Sequence, residues 1–323
     1  MNSAVRTRAA RVAVLGGSGF AGRSIVEALS TAGITVHAFS RRTGCDLLDE
    51  SAAYAVLAPF SPTHIINCAA VVGSVNYADE HAADVIDVNS RLVLGAYRVA
   101  QRLPAPVMVN LVANCVYPGE MELYQESRLW DGPPHESVQS YGESRRLLLT
   151  LAECYRRQKG LFSINLLVPN MYGPHDSTDP NKTHALNALV LKFVRAVQNH
   201  EAQVEVWGTG RPVREWLFVR DLARVVLQVV EEDARWPEPL NVAQRRGWTV
   251  RDLVDLLRKA SGYTGSVVYD TAYGDGAPTK VMDDHRFREY FPAFSFTPIE
   301  AGIEQTLAYY AETLKKDHEH LLL

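Results

Sequence analysis

Three glycines near the start of the chain have the spacing of a phosphate-binding turn. Gly16, Gly19 and Gly22 follow the apolar run 12–15 and precede a helix pattern over 23–30. The first glycine permits a tight strand-to-helix turn, the second lets a pyrophosphate approach the backbone, and the third lets helix and strand pack closely. The helix N-terminus then attracts the phosphate charge. The pattern predicts a dinucleotide site, and a tight turn without a ligand is the alternative.

The end of the second predicted strand, 34–39, should select the type of dinucleotide. An acidic residue at this point would bind a free ribose 2′-hydroxyl, whereas this chain has Ser40, Arg41 and Arg42. Two guanidinium groups can instead pair with a 2′-phosphate. We therefore expect NADP(H) rather than NAD(H), with a solvated basic turn as the alternative. Asp46 follows and is a candidate acceptor for the adenine amino group.

A tyrosine and an arginine, Tyr141 and Arg145, lie four residues apart in a predicted helix over 140–159. This spacing places both side chains on one helix face. The polar loop before that helix, 119–138, is long enough to act as a lid or a binding loop.

The elements that must position these groups alternate between strand and helix up to residue 168. This alternation predicts an α/β fold, a Rossmann doubly wound parallel sheet, with ligands beyond the carboxyl ends of its strands. The predicted strands after the glycine turn are 34–39, 64–70, 107–111 and 162–168, and the predicted helices between them include 82–102 and 140–159. Beyond residue 168 the patterns predict helices at 187–200, 221–232 and 249–261 and strands at 204–207 and 240–243.

The chain should form two units. We predict an NADP-binding Rossmann domain over 10–168, to which the chain returns at about 217–243. A smaller C-terminal α/β substrate-binding lobe should comprise 169–216 and 244–315.

The composition narrows the class of protein. The 323 residues are 47% hydrophobic and 22% charged, which is ordinary for a globular chain. A net charge of −4 predicts no broad basic surface for nucleic acid. No apolar run approaches the roughly 20 residues of a membrane helix, so no membrane partner is expected. Four scattered cysteines without a Cys-x-x-Cys pair indicate free thiols in a reducing cytoplasm.

Several short segments together resemble the extended short-chain dehydrogenases/reductases. Within that superfamily the sequence is most similar to the GDP-L-fucose synthase family, which epimerises 4-keto-6-deoxy sugars at C3 and C5 and reduces them at C4. The similarity extends over 12–307, and the segments that carry it are 16–22, 67–73, 115–118, 169–176, 183–184, 206–215 and 275–280.

The resemblance implies roles for individual residues. Cys115 and His184 match the acid/base pair of the epimerisation, and Tyr141 matches the catalytic tyrosine. Positions at or near the nucleotide-sugar pocket are Asn170, Lys192, Trp207, Arg214 and Lys280. Beyond the glycine and arginine positions above, the expected cofactor contacts are Phe20, Ala21, Leu47, Ala69, Ala70, Val71, Asn89, Tyr141, Arg145, Pro169, Asn170, Met171 and His184.

Each of these roles has a simpler structural alternative. Trp207 could belong to the core, and Arg214 and Lys280, which would suit a diphosphate, could form surface ion pairs. Cys115 could be a small buried hydrophobic residue.

A homodimer is also expected, because in this superfamily helices at 82–102 and 140–159 commonly pack against their copies. Both helices should present one apolar face to the sheet and another to the partner. The residues concerned are Leu92, Leu94, Tyr97, Val99, Leu147, Leu149, Leu151 and Tyr155.

Two positions depart from the family pattern. Ala113 stands where the family has a serine or threonine, and Arg145 stands in place of its lysine. An alanine cannot donate a hydrogen bond to the reacting carbonyl, and losing one such donor costs about 100- to 1000-fold in rate. The adjacent Asn114 is a candidate replacement, although neighbours on an extended segment point to opposite sides; water is another. Arg145 keeps the positive charge beside Tyr141, but it is longer and planar.

Three classes of function follow. The first is an NADPH-dependent epimerase and reductase of a nucleotide-linked 4-keto-6-deoxy sugar, most simply GDP-linked. The second is an epimerase or isomerase of the same ligand without net reduction. The third is a non-catalytic subunit that binds a nucleotide sugar or NADP, which the retained Tyr141, Cys115 and His184 argue against.

Overall fold

The computed structural model describes residues 10–104, 106–236 and 238–321. The first half contains, in chain order, β1 (Arg11–Leu15), α1 (Phe20–Thr31), β2 (Thr35–Phe39), α2 (Glu50–Leu57), β3 (His64–Asn67), α3 (Val75–Glu80), α4 (Ala82–Ala100), β4 (Val107–Ala113), α5 (Gln139–Lys159) and β5 (Ser163–Val168). The second half contains β6 (Asn170–Tyr172), α6 (Ala185–Gln198), β7 (Gln203–Trp207), β8 (Val213–Phe218), α7 (Val219–Glu231), β9 (Leu240–Asn241), β10 (Gly247–Thr249), α8 (Val250–Ser261), β11 (Ser266–Asp270), β12 (Thr279–Lys280), α9 (His285–Tyr290) and α10 (Ile299–Leu321).

Six parallel strands form the central sheet in the order β2-β1-β3-β4-β5-β9. The order reverses between β1 and β3, and in such sheets the ligand crevice opens at that point. The predicted α/β fold of the Rossmann type is confirmed. Strand β9 adds the late segment Leu240–Asn241 to this sheet, beside β5.

Both faces of the central sheet are covered by helices, because alternate residues of each buried strand point to opposite faces. On β4, Met108 and Val112 belong to the apolar cluster that contains residues of α2, α4 and α5. Val107 and Val109 belong to the cluster with residues of α1, α7 and α9.

A row of asparagines crosses the middle of this sheet. Asn67, Asn110 and Asn165 are register partners on β3, β4 and β5. Asn67 Nδ2 donates to Asn110 Oδ1 at 3.1 Å, and Asn110 Nδ2 donates to Asn165 Oδ1 and to the Tyr97 hydroxyl, both at 2.9 Å. Asn67 Oδ1 also accepts the backbone N–H of Ala69 at 3.3 Å, so the row reaches the loop that follows β3.

A second, smaller unit surrounds β8. This strand pairs with β6, β10 and β12, while β7 pairs with β11. Residues of α6, α8 and α10 form its own apolar cluster with β7 and β8.

The structure departs from the sequence prediction at several element ends. The third strand was predicted over 64–70 but ends at Asn67, because residues 68–73 leave the sheet. The fourth helix ends at Ala100 rather than at residue 102. Helix α10 had no predicted counterpart, although its buried Ile303, Leu307 and Tyr310 have helical spacing. Among the described helices, none combines the length and apolarity needed to cross a bilayer.

Candidate active site

The glycine turn joins β1 to α1 and leaves little room for side chains. Gly16 has a φ of +72°, and a Cβ there would lie 3.0 Å from the backbone N of Ala69. A Cβ on Gly22 would lie 2.7 Å from the Cα of Gly17, and one on Gly17 would lie 2.7 Å from the Cα of Ala38. Gly17 was not singled out in the sequence, because its requirement comes from the neighbouring strand β2.

Helix α1 begins at this turn, and in the described structure no side chain caps its first backbone N–H groups. Its N-cap is Gly19, which has no side chain to accept the first N–H groups, and its first turn contains no acidic residue. Phe20, Ala21 and Gly22 form that first turn. An uncapped helix N-terminus beside a turn without side chains suits a diphosphate.

The basic segment after β2 is open to solvent. Arg41 and Arg42 lie in a short 3-10 turn that begins after Ser40, and both are exposed. In the described part of the chain, neither guanidinium forms an ion pair, so both are available to an anion. Asp46 Oδ1 accepts the backbone N–H of Leu48 at 3.0 Å, and Leu47 between them is buried.

The loop after β3 is held by one buried amide. Asn89 of α4 is fully buried; its Oδ1 accepts the N–H of Val71 at 3.0 Å, and its Nδ2 donates to the Val71 carbonyl at 3.0 Å. Arg145 Nη2 donates to the same Oδ1 at 3.1 Å. The loop 69–71, Asn89 and Arg145 therefore form one hydrogen-bonded group.

Arg145 and Tyr141 meet on the inner face of α5. Arg145 is 2% exposed, and its guanidinium carbon lies 5.1 Å from the centroid of the Tyr141 ring. Burial raises the pKa of the Tyr141 hydroxyl, and the charge of Arg145 acts in the opposite direction. Arg145 thus places a positive charge beside the Tyr141 ring, while its hydrogen bonds go to Asn89 and to the Ser144 hydroxyl.

The Cys115 thiol is influenced by the positive charges of Lys280 and Arg145. The residue is 8% exposed, and burial raises the pKa of its thiol to about 11, against the positive charges of Lys280 and Arg145. At neutral pH this thiol carries its proton, so it can act as a proton donor. The burial of Cys115 agrees with the alternative that it is only a small buried hydrophobic residue. The positive charges that act on its thiol do not.

His184 stands at the N-terminus of α6, close to the glycine turn. Its ring centroid is 5.1 Å from that of Phe20, and its Nδ1 lies 3.1 Å from both carboxylate oxygens of Asp176. Among the contacts of the described residues, none joins His184 directly to Cys115. Asp176 lies in the segment 169–176, and the sequence predicts no role for it.

Two cations lie side by side in the smaller unit. Lys280 on β12 is the register partner of Arg214 on β8. The Arg214 guanidinium donates to the carbonyls of Val213, Asp275 and Pro278, at 2.9, 3.2 and 3.3 Å. Within the described ranges neither cation forms an ion pair with a carboxylate, so the surface ion-pair alternative does not describe them.

Trp207 is a surface residue, so the core-packing alternative does not hold. It is 48% exposed and stacks on Tyr273, with ring centroids 4.3 Å apart and planes at 14°. Lys192 Nζ lies 4.9 Å from the Trp207 ring and donates to the Glu205 carbonyl at 2.8 Å. Tyr273 was missed because it lies in an irregular segment without periodic pattern.

The remaining predicted positions follow β5 and line its end. Asn170 and Met171 lie on β6, and Asn170 Nδ2 donates to the Glu215 carbonyl at 3.4 Å. Pro169 directly precedes them and is buried.

Asn114 has an unsatisfied polar group. It is 4% exposed, and in the described structure its Nδ2 has no hydrogen-bond partner. Strand β4 ends at Ala113, and a 3-10 turn over 114–116 begins directly after it. The alternation that turns neighbouring strand side chains to opposite sides therefore does not apply to Ala113 and Asn114. A buried amide without a partner costs about 1–3 kcal/mol, which a bound acceptor would offset.

Glu215 is a fully buried carboxyl that the sequence did not mark for function. It accepts the backbone N–H groups of Gln244 at 2.6 Å and Met282 at 2.8 Å, and so joins β8 to two loops behind Arg214. Burial raises its pKa from 4.5 to about 7, although these hydrogen bonds favour the charged form.

We expect Glu215 to make the protein less stable as the pH rises from about 5 to 7. In this window the folded state keeps the proton while the unfolded chain has lost it, so unfolding is favoured by up to about 3 kcal/mol. Denaturant unfolding at several pH values should show a flatter profile for Glu215→Gln than for wild type. The exposed Glu304→Gln is the control. Parallel profiles for wild type and Glu215→Gln would contradict the assignment.

Comparison with known proteins finds relatives that are named for GDP sugars. Residues 12–243 match the family described as NAD dependent epimerase/dehydratase family. The chain is 29% identical over 311 residues to the GDP-L-fucose synthase of Escherichia coli (strain K12), covering 94% of this chain and 97% of that protein. It is 30% identical over 284 residues to the putative GDP-L-fucose synthase 2 of Oryza sativa subsp. japonica, covering 87% and 82%.

A solved structure gives the same likeness in three dimensions. The GDP-L-fucose synthetase of Naegleria fowleri bound to NADP superposes with a TM-score of 0.86 at 25% identity. The match covers 96% of this chain and 95% of that one.

Proposed function

The chain belongs to the NAD dependent epimerase/dehydratase family, and we propose that it is an NADP(H)-dependent epimerase and reductase of a nucleotide-linked 4-keto-6-deoxy sugar. A GDP-linked sugar is the proposed substrate, because the relatives are named for GDP sugars. The observation that carries the proposal is the packing of Cys115, in the turn after β4, against the start of α5, where Tyr141 and Arg145 meet; the charge of Lys280 also acts on the Cys115 thiol.

The residues around the glycine turn fit a dinucleotide. A Cβ at Gly16 or Gly22 would collide with neighbouring backbone, so glycine is needed for the tight turn that leads to the uncapped end of α1. Arg41 and Arg42 are exposed and have no acidic partner among the described residues. When bound, NADPH supplies the hydride for reduction at C4. The chain contributes the phosphate cradle, the loop 69–71 and the buried Arg145.

Epimerisation requires a base and an acid near C3 and C5. The 4-keto group acidifies the protons on both carbons, so a neutral imidazole can remove one and a thiol can return one on the other face. His184 has a side chain that is 27% exposed and faces the glycine turn, and Cys115 carries its proton at neutral pH. Arg214 and Lys280 would neutralise the diphosphate of the substrate.

Reduction at C4 creates an alkoxide that Tyr141 would protonate. The nearby Arg145 guanidinium stabilises a tyrosinate left behind. Ala113 cannot donate to the developing charge, and we assign that donor role to the unpaired amide of Asn114.

Isotope exchange and cofactor oxidation together test this function. The protein is incubated in deuterated water with a GDP-linked 4-keto-6-deoxy sugar, with and without NADPH, and dTDP- and CDP-linked sugars serve as comparisons. Deuterium should enter the ring in both cases, and NADPH should be consumed when it is present. Exchange without NADPH consumption would favour the second function, an isomerase without net reduction, which Ala113 supports. No exchange with any sugar would exclude both.

The cofactor preference depends on the basic segment. Wild type should bind NADP(H) at least about 10-fold more tightly than NAD(H), because Arg41 and Arg42 can pair with the 2′-phosphate. In the double variant Arg41→Ala/Arg42→Ala the two dissociation constants, measured by calorimetry, should converge. The NAD(H) constant is the internal control, since it should stay nearly unchanged. Equal affinities in wild type would contradict the prediction.

A homodimer through α4 and α5 is part of the proposal. Of the apolar residues expected on the two faces of these helices, Tyr97, Val99 and Leu149 are buried within this chain. The half-buried ones remain available, namely Leu92, Leu94, Leu147, Leu151 and Tyr155. Light scattering at micromolar concentration should give twice the chain mass of 35.9 kDa, and a monomer would refute the dimer.

Free cysteines at the four described positions agree with the proposed cytoplasmic location.

A further inference from the structure

We propose that Asp176 is a positioning residue that fixes the tautomer of His184, with the proton on Nδ1 and the Nε2 lone pair free to remove a proton from the sugar. The inference rests on the proposed epimerisation, because it assigns His184 the part of the base.

Asp176 contacts both the backbone and the ring of His184. Asp176 Oδ2 accepts the backbone N–H of His184 at 2.9 Å, and both carboxylate oxygens lie 3.1 Å from His184 Nδ1. In a neutral imidazole one ring nitrogen donates and the other accepts. In the neutral ring, an acceptor-only carboxylate at Nδ1 therefore holds the proton on Nδ1 and leaves Nε2 unprotonated.

The carboxylate stays charged in this environment. Its side chain is 3% exposed. Burial alone would raise the pKa of Asp176, but the hydrogen bonds from His184 and Asn187, together with the charge of a protonated His184, outweigh burial and hold the pKa below its ordinary value. Asn187 Nδ2 donates to Oδ2 at 2.8 Å. The described residues provide no arginine or lysine partner for Asp176, so His184 is its principal counterpart.

The surrounding backbone holds Asp176 in place. The Tyr310 hydroxyl donates to the Asp176 carbonyl at 3.1 Å, and Asn187 Oδ1 accepts the N–H of Gly173 at 3.0 Å. The preceding residue, His175, has a φ of +74°, a conformation that non-glycine residues adopt only when their surroundings enforce it. The loop therefore fixes the carboxylate before any ligand binds.

The substitution Asp176→Asn should reverse the tautomer. The asparagine oxygen can replace Oδ2 and accept from the His184 backbone and Asn187. Its amide nitrogen then takes the place of Oδ1, 3.1 Å from Nδ1, and offers N–H groups there, so an accepting Nδ1 with the proton on Nε2 is the favoured tautomer. A histidine in the wrong tautomer cannot act as the base, and ring exchange should fall by at least about 100-fold in kcat with little change in KM.

The test is made on the full chain with ¹⁵N-labelled histidine, with the His184 signals assigned by loss in His184→Gln. NMR should show Nδ1 protonated in wild type and Nε2 protonated in Asp176→Asn. The control is Asp221→Asn, a buried carboxylate that binds Arg224 and Thr297 instead. That variant should keep the wild-type tautomer and ring exchange within about twofold.

The possible outcomes separate this inference from the proposed function. A neutral wild-type His184 that carries its proton on Nε2 would overturn the inference. The wild-type spectrum decides this even where the variant does not fold. Reversed tautomers together with the loss of exchange would support it. Reversed tautomers in a protein whose wild type shows no exchange would support the hydrogen-bond assignment and overturn the proposed function.

Discussion

Replacing Cys115 with serine should slow the entry of solvent deuterium into the sugar ring by about 100-fold or more. The serine hydroxyl is a much weaker acid than the thiol, so it cannot return a proton to C3 or C5 at a useful rate. Cys115 lies near Lys280 and Arg145 but makes no part of the glycine turn. The dissociation constant for NADP(H) should therefore stay within about twofold. Mass spectrometry of the recovered sugar measures the exchange.

The matched control for this prediction is Cys154→Ser, which alters an exposed thiol on the outer side of α5. That variant should exchange at the wild-type rate. His184→Ala should slow exchange as strongly as Cys115→Ser, because each step of the epimerisation needs both a base and an acid. An active Cys115→Ser variant would leave the buried thiol with a packing role only.

Removing the amide of Asn114 should lower the rate of NADPH oxidation by about 100-fold. In Asn114→Ala no side chain remains at Ala113 or at residue 114 to donate to the alkoxide at C4. Ring exchange should change far less, because Cys115 and His184 are retained. The absorbance of the reduced cofactor gives the rate, and its binding constant should be unchanged.

The informative comparison is Ala113→Ser in the Asn114→Ala background. Serine returns a donor at the position where the family has one. The double variant should therefore oxidise NADPH at least about 10-fold faster than Asn114→Ala alone. An Asn114→Ala variant that oxidises NADPH as fast as wild type would show that the amide is not the donor. Water or Tyr141 alone would then have to stabilise the alkoxide.

The sequence predicted those parts of the site that depend on local spacing. The glycine turn and the shared helix face of Tyr141 and Arg145 are set by neighbours within a few residues, and the structure has both. The partners of these residues are set by the fold. Asn89 holds Arg145 because α4 and α5 lie side by side, and no sequence pattern records that contact.

Asp176 and Tyr273 escaped prediction for a related reason. Asp176 reaches His184 through a loop with a positive φ at His175, and Tyr273 reaches Trp207 from an irregular segment. Neither position has helical or strand periodicity, so only the tertiary structure brings the pairs together. The apolar residues of α4 and α5 show the same limit, since the sequence predicts two apolar faces for these helices but not which residues belong to each, and the fold buries Tyr97, Val99 and Leu149 inside the chain.

The asparagine row across β3, β4 and β5 has a consequence for how this sheet assembles. Strand pairing that slips by one residue would turn one amide toward the other face, where apolar side chains of α1 and α7 lie. Each amide buried there without a partner would cost about 1–3 kcal/mol of folding free energy, whereas a purely apolar strand would tolerate the slip more easily. The row thus discriminates between correct and shifted pairings while the chain folds. Because Asn67 also binds Ala69, a correctly paired sheet and a correctly shaped cofactor loop form together.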